Sequence, residues 1–184
     1  MSKKVIVVLA EGFEEMEAII SIDILRRAGL EVITAATSSN ILVTGSRKIP
    51  IKPDIELKNF SGVPEALVLP GGMPGAENLA NSKLLINLIK QCAKQNKIIA
   101  AICASPAYAL AKSGILSGKR VTCYPGCENR LNKDAIYLNQ DVVVDGNLIT
   151  SAGPGTAFYF ALAIIEKLVG KETAQTVKNK ALVK

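Results

Sequence analysis

The run Ile98-Ile-Ala-Ala-Ile102, followed at once by Cys-Ala-Ser-Pro-Ala-Tyr-Ala-Leu-Ala over residues 103–111, constrains this chain more than any other stretch. An unbroken apolar run reads as a strand buried on both faces of a parallel sheet. The small-residue, Ala-rich pattern after it reads as helix, so strand turns into helix with a thiol at the corner. A helix that leaves so abruptly crosses close to its own strand and needs small neighbours, which Ala101, Ala104 and Ser105 supply. This is the layout of a nucleophile elbow, whose turning residue is strained and stands at the carboxyl edge of the sheet. The usual elbow has Gly two residues before and two after the nucleophile, and here those positions hold Ala101 and Ser105. Just ahead of a helix N-terminus, Cys103 is expected to gain thiolate character from free N–H groups and the helix dipole. The competing reading of the same window is a small hydrophobe in a core, since free Cys is among the most buried residue types.

The rest of the chain alternates in the same way. Lys3 to Ala10 reads as a buried strand, Glu11-Gly12-Phe13 as a turn and Glu14 to Ala28 as a helix, with Met16, Ile19, Ile20, Ile24 and Leu25 at helical spacing and Gly29 as its stop. Leu30 to Ala36 is a second strand. Ile41 to Thr44 and Ile49 to Ile51 read as short strands, and Ala66 to Leu69 as a third buried strand ending in the turn Pro70-Gly71-Gly72-Met73-Pro74-Gly75. Ser82 to Asn96 is a helix with Ser82 as N-cap. Arg120 to Cys123 is a strand closed by Tyr124-Pro125-Gly126. Asp141 to Val144 and Leu148 to Ser151 form a hairpin around Asp145-Gly146-Asn147. Gly153-Pro154-Gly155-Thr156 opens a long helix to Val169, and Lys171 to Lys178 is a last short one. The chain is thus expected to be α/β: a doubly wound, mostly parallel sheet with helices on both faces and a small β-hairpin, in a single domain over residues 1–184.

Composition removes several function classes. The chain contains no histidine, which excludes Cys-His and Ser-His-Asp triads and the zinc sites that need imidazole. No metal is expected, and any general base must be Asp, Glu, Lys, Tyr or the thiol itself. The net charge of +6 is spread over scattered lysines, and four Tyr, four Phe and no Trp offer little to stack on bases. That pattern points to a solvated surface and no specific nucleic acid. Val5 to Ala10 is too short for a signal peptide and is followed by acids, and Ala157 to Ile165 is too short to span a bilayer. A cytoplasmic protein without a membrane partner is expected, with Cys92, Cys103, Cys123 and Cys127 reduced. Glu11-Gly12-Phe13 is no phosphate loop and Gly71-Gly72-Met73-Pro74-Gly75 lacks the lysine and spacing of one, so no cofactor is expected.

Three segments should meet at the carboxyl ends of the strands: Gly12 to Glu17, Gly71 to Gly75, and Cys103. Cys103 is the candidate nucleophile. Glu17, one turn into its helix on the face of Phe13 and Ile20, either points at the thiol as acid or proton shuttle, or caps the helix in solvent as Glu14 and Glu15 are expected to do. Gly71, Gly72 and Ala104 offer main-chain N–H groups to a substrate oxygen or an oxidised sulfur; the plainer reading of the Gly pair is a tight turn. Cys123 and Cys127 fit ordinary packing better than a resolving or metal-binding pair. Arg26, Arg27 and Arg47 are either interface or solvated residues.

Four motifs in order, Glu14-Glu15-Met16-Glu17, Leu69-Pro70-Gly71-Gly72, Ala101-Ile102-Cys103-Ala104 and Ser151-Ala152-Gly153-Pro154-Gly155-Thr156, resemble the ThiJ/PfpI superfamily, in the branch of the parkinsonism-associated DJ protein and its bacterial relatives. The resemblance runs from the first strand to the last helix. It implies a flavodoxin-like homodimer with an oxidation-prone cysteine at Cys103, an acid bonded to it at Glu17, and an oxyanion-type pocket at Gly71 and Gly72. It further implies oxidative-stress protection, with cofactor-free glyoxalase chemistry on methylglyoxal or deglycase chemistry on glycated adducts, or else redox sensing and chaperone activity without turnover. Where many members carry a His before a Pro, this chain has Tyr124 before Pro125. Tyrosine can donate a hydrogen bond but is a poor base near neutral pH, which disfavours protease or amidase chemistry.

Overall fold

The structure, a computed structural model, describes residues 3–40 and 42–184. In chain order its elements are β1 Lys4–Leu9, α1 Glu15–Arg27, β2 Glu31–Ala36, β3 Val43–Thr44, β4 Pro50–Ile51, β5 Ile55–Glu56, β6 Ala66–Leu69, α2 Gly75–Asn81, α3 Lys83–Lys94 and β7 Ile98–Ile102. A π-helical turn over Pro106–Leu110 leads into α4 Ala111–Ser113, followed by β8 Arg120–Val121, β9 Ile136–Tyr137, β10 Val142–Asp145, β11 Leu148–Ser151, α5 Ala157–Val169 and α6 Lys171–Lys180.

Among the described residues, seven strands form the main sheet in the order β10-β11-β7-β6-β1-β2-β5. Only the β10–β11 pair is antiparallel. The central strands are apolar without interruption because both faces are covered. In β1, Val5, Val7 and Leu9 enter one core with residues of α1, α5 and α6, while Ile6 and Val8 enter a second core with Leu79 of α2 and Leu85 and Ile89 of α3. The chain leaves β1 toward β2 and β5 on one side and returns on the other side as β6, so the switch in winding direction falls between β1 and β6. In sheets of this kind that is where ligands are held, at the carboxyl edge.

Three local differences from the sequence reading have clear causes. The Pro70–Gly75 turn hands over directly to α2, which was not expected: a two-turn helix whose start has no side-chain cap carries little local signal. The segment at Arg120 is a strand for two residues only and pairs with β9 in a separate two-stranded sheet beside β10. Asp145 is the last residue of β10, paired with Leu148, so the hairpin turns on Gly146 and Asn147 with Gly146 at φ +62°. The short strands near residues 41–51 are β3 and β4, paired antiparallel; the start placed at Ile41 lies outside the described residues. Ser82 caps α3 as expected, accepting the Leu85 N–H at 3.3 Å. Among the described residues no helix is long and apolar enough to cross a membrane.

Candidate active site

The three loops expected to meet do interlock. The Glu14 N–H donates to the Gly71 carbonyl at 2.9 Å, and the Gly75 N–H to the Gly12 carbonyl at 3.1 Å. Buried Ser105, at the position where an elbow usually has Gly, donates its hydroxyl to the Pro70 carbonyl at 2.5 Å and so fastens the elbow helix to the loop after β6.

Cys103 takes φ +63°, a left-handed conformation that costs a residue with a side chain about 1–2 kcal/mol. Main-chain bonds on both sides hold it there: its N–H donates to the Ser151 carbonyl at 2.9 Å, and its carbonyl accepts the Tyr124 N–H at 2.8 Å. The side chain is 7 % exposed at the base of a pocket of about 280 Å³, which Glu14, Ser46, Arg47, Gly72, Tyr124 and Cys127 help to line.

Glu17 is fully buried beside it. Its Oε2 accepts the Gly71 N–H at 2.6 Å, while Oε1 has no hydrogen-bond partner among the described residues. A buried carboxylate oxygen without a donor is unfavourable unless the group is protonated. Burial accordingly pushes Glu17 up to about 7, against the opposing pull of the Gly71 N–H and of Cys103. The thiol does not follow the expectation of thiolate character. Burial pushes Cys103 up from its ordinary value and the Glu17 charge adds to that, while the Gly72 and Ala104 N–H groups pull the other way. The physical reason is that desolvation by burial outweighs the pull of the two N–H groups beside the sulfur.

The Gly pair divides its work. The Gly71 N–H is spent on Glu17 and does not face the pocket, so the donors near the sulfur are Gly72 and Ala104. Gly71 is needed for closeness: a Cβ there would lie 2.6 Å from the Cys103 Cβ, 2.9 Å from the Ile102 carbonyl and 3.0 Å from the Ala104 nitrogen. Two of those neighbours are main chain and cannot step aside. Gly71→Ala is therefore expected to destabilise the protein by roughly 2–4 kcal/mol, read as a fall in the urea midpoint at unchanged slope.

Tyr124 is half-exposed on the pocket wall, its ring beside Gly153. Glu14 is the N-cap of α1, accepting the Glu17 N–H at 2.8 Å. Glu15 departs from the solvent-facing role expected of it. It is 6 % exposed and accepts the main-chain N–H of Arg47 at 2.6 Å and of Ile49 at 3.3 Å, which anchors the β3–β4 hairpin over the site and brings Arg47 to the pocket. Arg26 and Arg27 lie elsewhere, paired with Asp54 and Asp23. Cys92 and Cys123 are fully buried, each pushed up to about 12 by burial. Cys127, expected only to pack, also lines the pocket. Nothing in the periodicity around residues 45–49 or 124–127 marks these contributions.

A flavodoxin-like sheet with a strained cysteine at the carboxyl edge of a central strand and a buried carboxyl beside it defines the class: α/β proteins with a nucleophile-elbow thiol. Residues 3–167 match the DJ-1/PfpI family, and the chain belongs to that family. It is similar to Protein DJ-1 homolog B of Arabidopsis thaliana, 42 % identical over 98 % of this chain, although it spans only 41 % of that relative's length. It is 38 % identical to the glutathione-independent glyoxalase DJR-1.2 of Caenorhabditis elegans over 91 % of this chain and 89 % of the relative. The crystal structure of Drosophila melanogaster DJ-1beta superposes with a TM-score of 0.96 at 45 % identity, covering all of both chains.

Proposed function

We propose that the protein is a cofactor-independent glyoxalase that converts a small reactive dicarbonyl, methylglyoxal in the first instance, to its 2-hydroxy acid. The observation that carries the reading is the buried Glu17 carboxyl against the strained Cys103, with proton affinity near neutrality. At neutral pH the Glu17 carboxylate takes the thiol proton as the sulfur bonds to the aldehyde carbon, giving a hemithioacetal. The Gly72 and Ala104 N–H groups hold the developing oxyanion. Glu17 gives the thiol proton to that oxyanion and, a carboxylate again, moves the proton of the former aldehyde carbon to the adjacent ketone carbon while the hydroxyl proton passes to the former ketone oxygen, leaving a lactoyl thioester on Cys103. Water releases lactate and restores the thiol. Tyr124 closes the wall above the sulfur and offers its hydroxyl as a donor to the substrate carbonyl. A reactive residue only 7 % exposed favours a small free aldehyde over a glycated adduct on a folded surface. The test is lactate release from methylglyoxal by purified protein without glutathione. Turnover supports the reading, and its absence in a folded sample overturns it in favour of redox sensing.

We also propose that the working form is a homodimer. Met16 and Ile19, which the helical pattern of α1 marked as apolar, are 53 % and 47 % exposed, and Glu15 ties the hairpin carrying Ile49, itself 56 % exposed, to the same helix. Covering that face would bury the exposed apolar side chains of α1. Light scattering is expected to give twice the chain mass for the protein and a single chain mass for Ile19→Asp; a monomeric starting protein would refute this.

A further inference from the structure

Cys103 and Cys127 open onto one pocket from two strands of chain that are directly connected by hydrogen bonds. The Tyr124 N–H donates to the Cys103 carbonyl at 2.8 Å and the Cys127 N–H to the Tyr124 carbonyl at 3.0 Å, so a single turn separates the two residues. That turn is exposed at Tyr124, Pro125 and Gly126, contains Gly126 at φ +93°, and is held by the half-buried Glu128 through its bonds to the Gly126 N–H. The remaining thiols are placed differently: Cys92 is in the second core behind the sheet, and Cys123 is fully buried and lines no part of the pocket.

We propose that Cys127 is the resolving thiol for Cys103, converting an oxidised active-site sulfur into a reducible Cys103–Cys127 disulfide. The inference rests on the reading of Cys103 as the reactive thiol of the pocket. A hydroperoxide is the oxidant. Its distal oxygen bonds to the Cys103 sulfur, the O–O bond breaks, and the thiol proton leaves with the departing oxygen; sulfur is oxidised by two electrons and the peroxide reduced by two. The Gly72 and Ala104 N–H groups beside the sulfur hold the resulting sulfenic acid. The Cys127 sulfur then attacks the Cys103 sulfur, the S–O bond breaks, and the hydroxyl leaves with the Cys127 proton as water. Closure needs the two Cα atoms within about 7 Å, and any adjustment falls on the exposed turn Tyr124–Gly126, where the Gly126 N–H must shift against its bonds to Glu128. The disulfide blocks the pocket and spares Cys103 the irreversible step to the sulfinic acid. In the same pocket Cys127→Ser lacks this exit.

The experiment treats the purified reduced protein with about two equivalents of hydrogen peroxide, enough to carry one thiol through the sulfenic to the sulfinic acid, and maps tryptic peptides by mass spectrometry. The expected product links the peptide Ile98–Lys112 to Val121–Arg130 with loss of two hydrogens, fragmentation assigns the bond to Cys127, and dithiothreitol reverses it. In Cys127→Ser the same dose should leave Cys103 with two added oxygens that dithiothreitol does not remove. Wild-type protein that accumulates sulfinic acid at Cys103 with Cys127 free, or a link assigned to Cys123, would overturn the resolving role and leave Cys103 the reactive thiol. Oxidation of other thiols with Cys103 untouched would overturn both.

Discussion

Cys103→Ser is expected to lower kcat/KM for methylglyoxal by at least about 10³-fold, roughly 4 kcal/mol of transition-state stabilisation, with little change in thermal midpoint. The hydroxyl is close in size to the thiol, and the bonds that hold residue 103 in its left-handed conformation, to Ser151 and from Tyr124, are both main chain. The fold therefore keeps its elbow while the chemistry loses its nucleophile, because a hydroxyl is a weaker acid and a poorer nucleophile than a thiol, and the oxygen ester it would form does not replace the thioester of the proposed route. Steady-state lactate formation and a melting curve on the same preparation check both halves. A variant that is folded and still turns over would remove Cys103 from the reaction and with it the proposed covalent route.

How far this site was legible in the sequence depended on which physical rule governed each part. The elbow was readable because burial on both faces forces a continuous apolar run, and close crossing forces small residues at Ala101, Ala104 and Ser105. Both constraints act locally and leave a mark in a short window. Convergence of the loops followed from the doubly wound alternation, and Glu17 followed from its place one turn into α1. The division between Gly71 and Gly72 was not readable: two adjacent N–H groups look alike in sequence, and only the placement of Glu17 decides that one is consumed within the protein. Glu15 was misplaced for a related reason. A carboxylate in the first turn of a helix is well accounted for by the dipole, and nothing local says that it instead binds the main chain of a hairpin some thirty residues away. The proton affinity of Cys103 failed where a local rule, the helix N-terminus, met the larger effect of burial beside a second acid.

That same burial makes Glu17 the main determinant of the pH response, and the sign can be worked out for activity and stability separately. With its proton affinity raised from the ordinary 4.5 to about 7, Glu17 is a competent base only once it has lost its proton. The kcat/KM of the wild type is expected to rise as pH increases through about 7. Glu17→Gln, which can still accept the Gly71 N–H but cannot take a proton, should lower kcat/KM by roughly 10²–10³-fold and abolish that rise. Stability runs the opposite way. The folded protein holds the Glu17 proton more tightly than the unfolded chain does, so the contribution is fully present below 4.5 and is lost progressively as pH rises to about 7. The loss amounts to about 3 kcal/mol. Glu17→Gln carries no buried charge at any pH, so its thermal midpoint should exceed that of the wild type by about 5–10 °C at pH 8 and converge with it near pH 5. Activity and stability thus pull apart at one residue, as expected where a buried acid is kept for its chemistry. Melting curves and rate profiles on the two proteins between pH 5 and 8 make the comparison. A variant that is no more stable at pH 8 than at pH 5, relative to wild type, would mean that Glu17 is already ionised in the fold at pH 5, and would remove both its raised proton affinity and the expected rise of activity through pH 7.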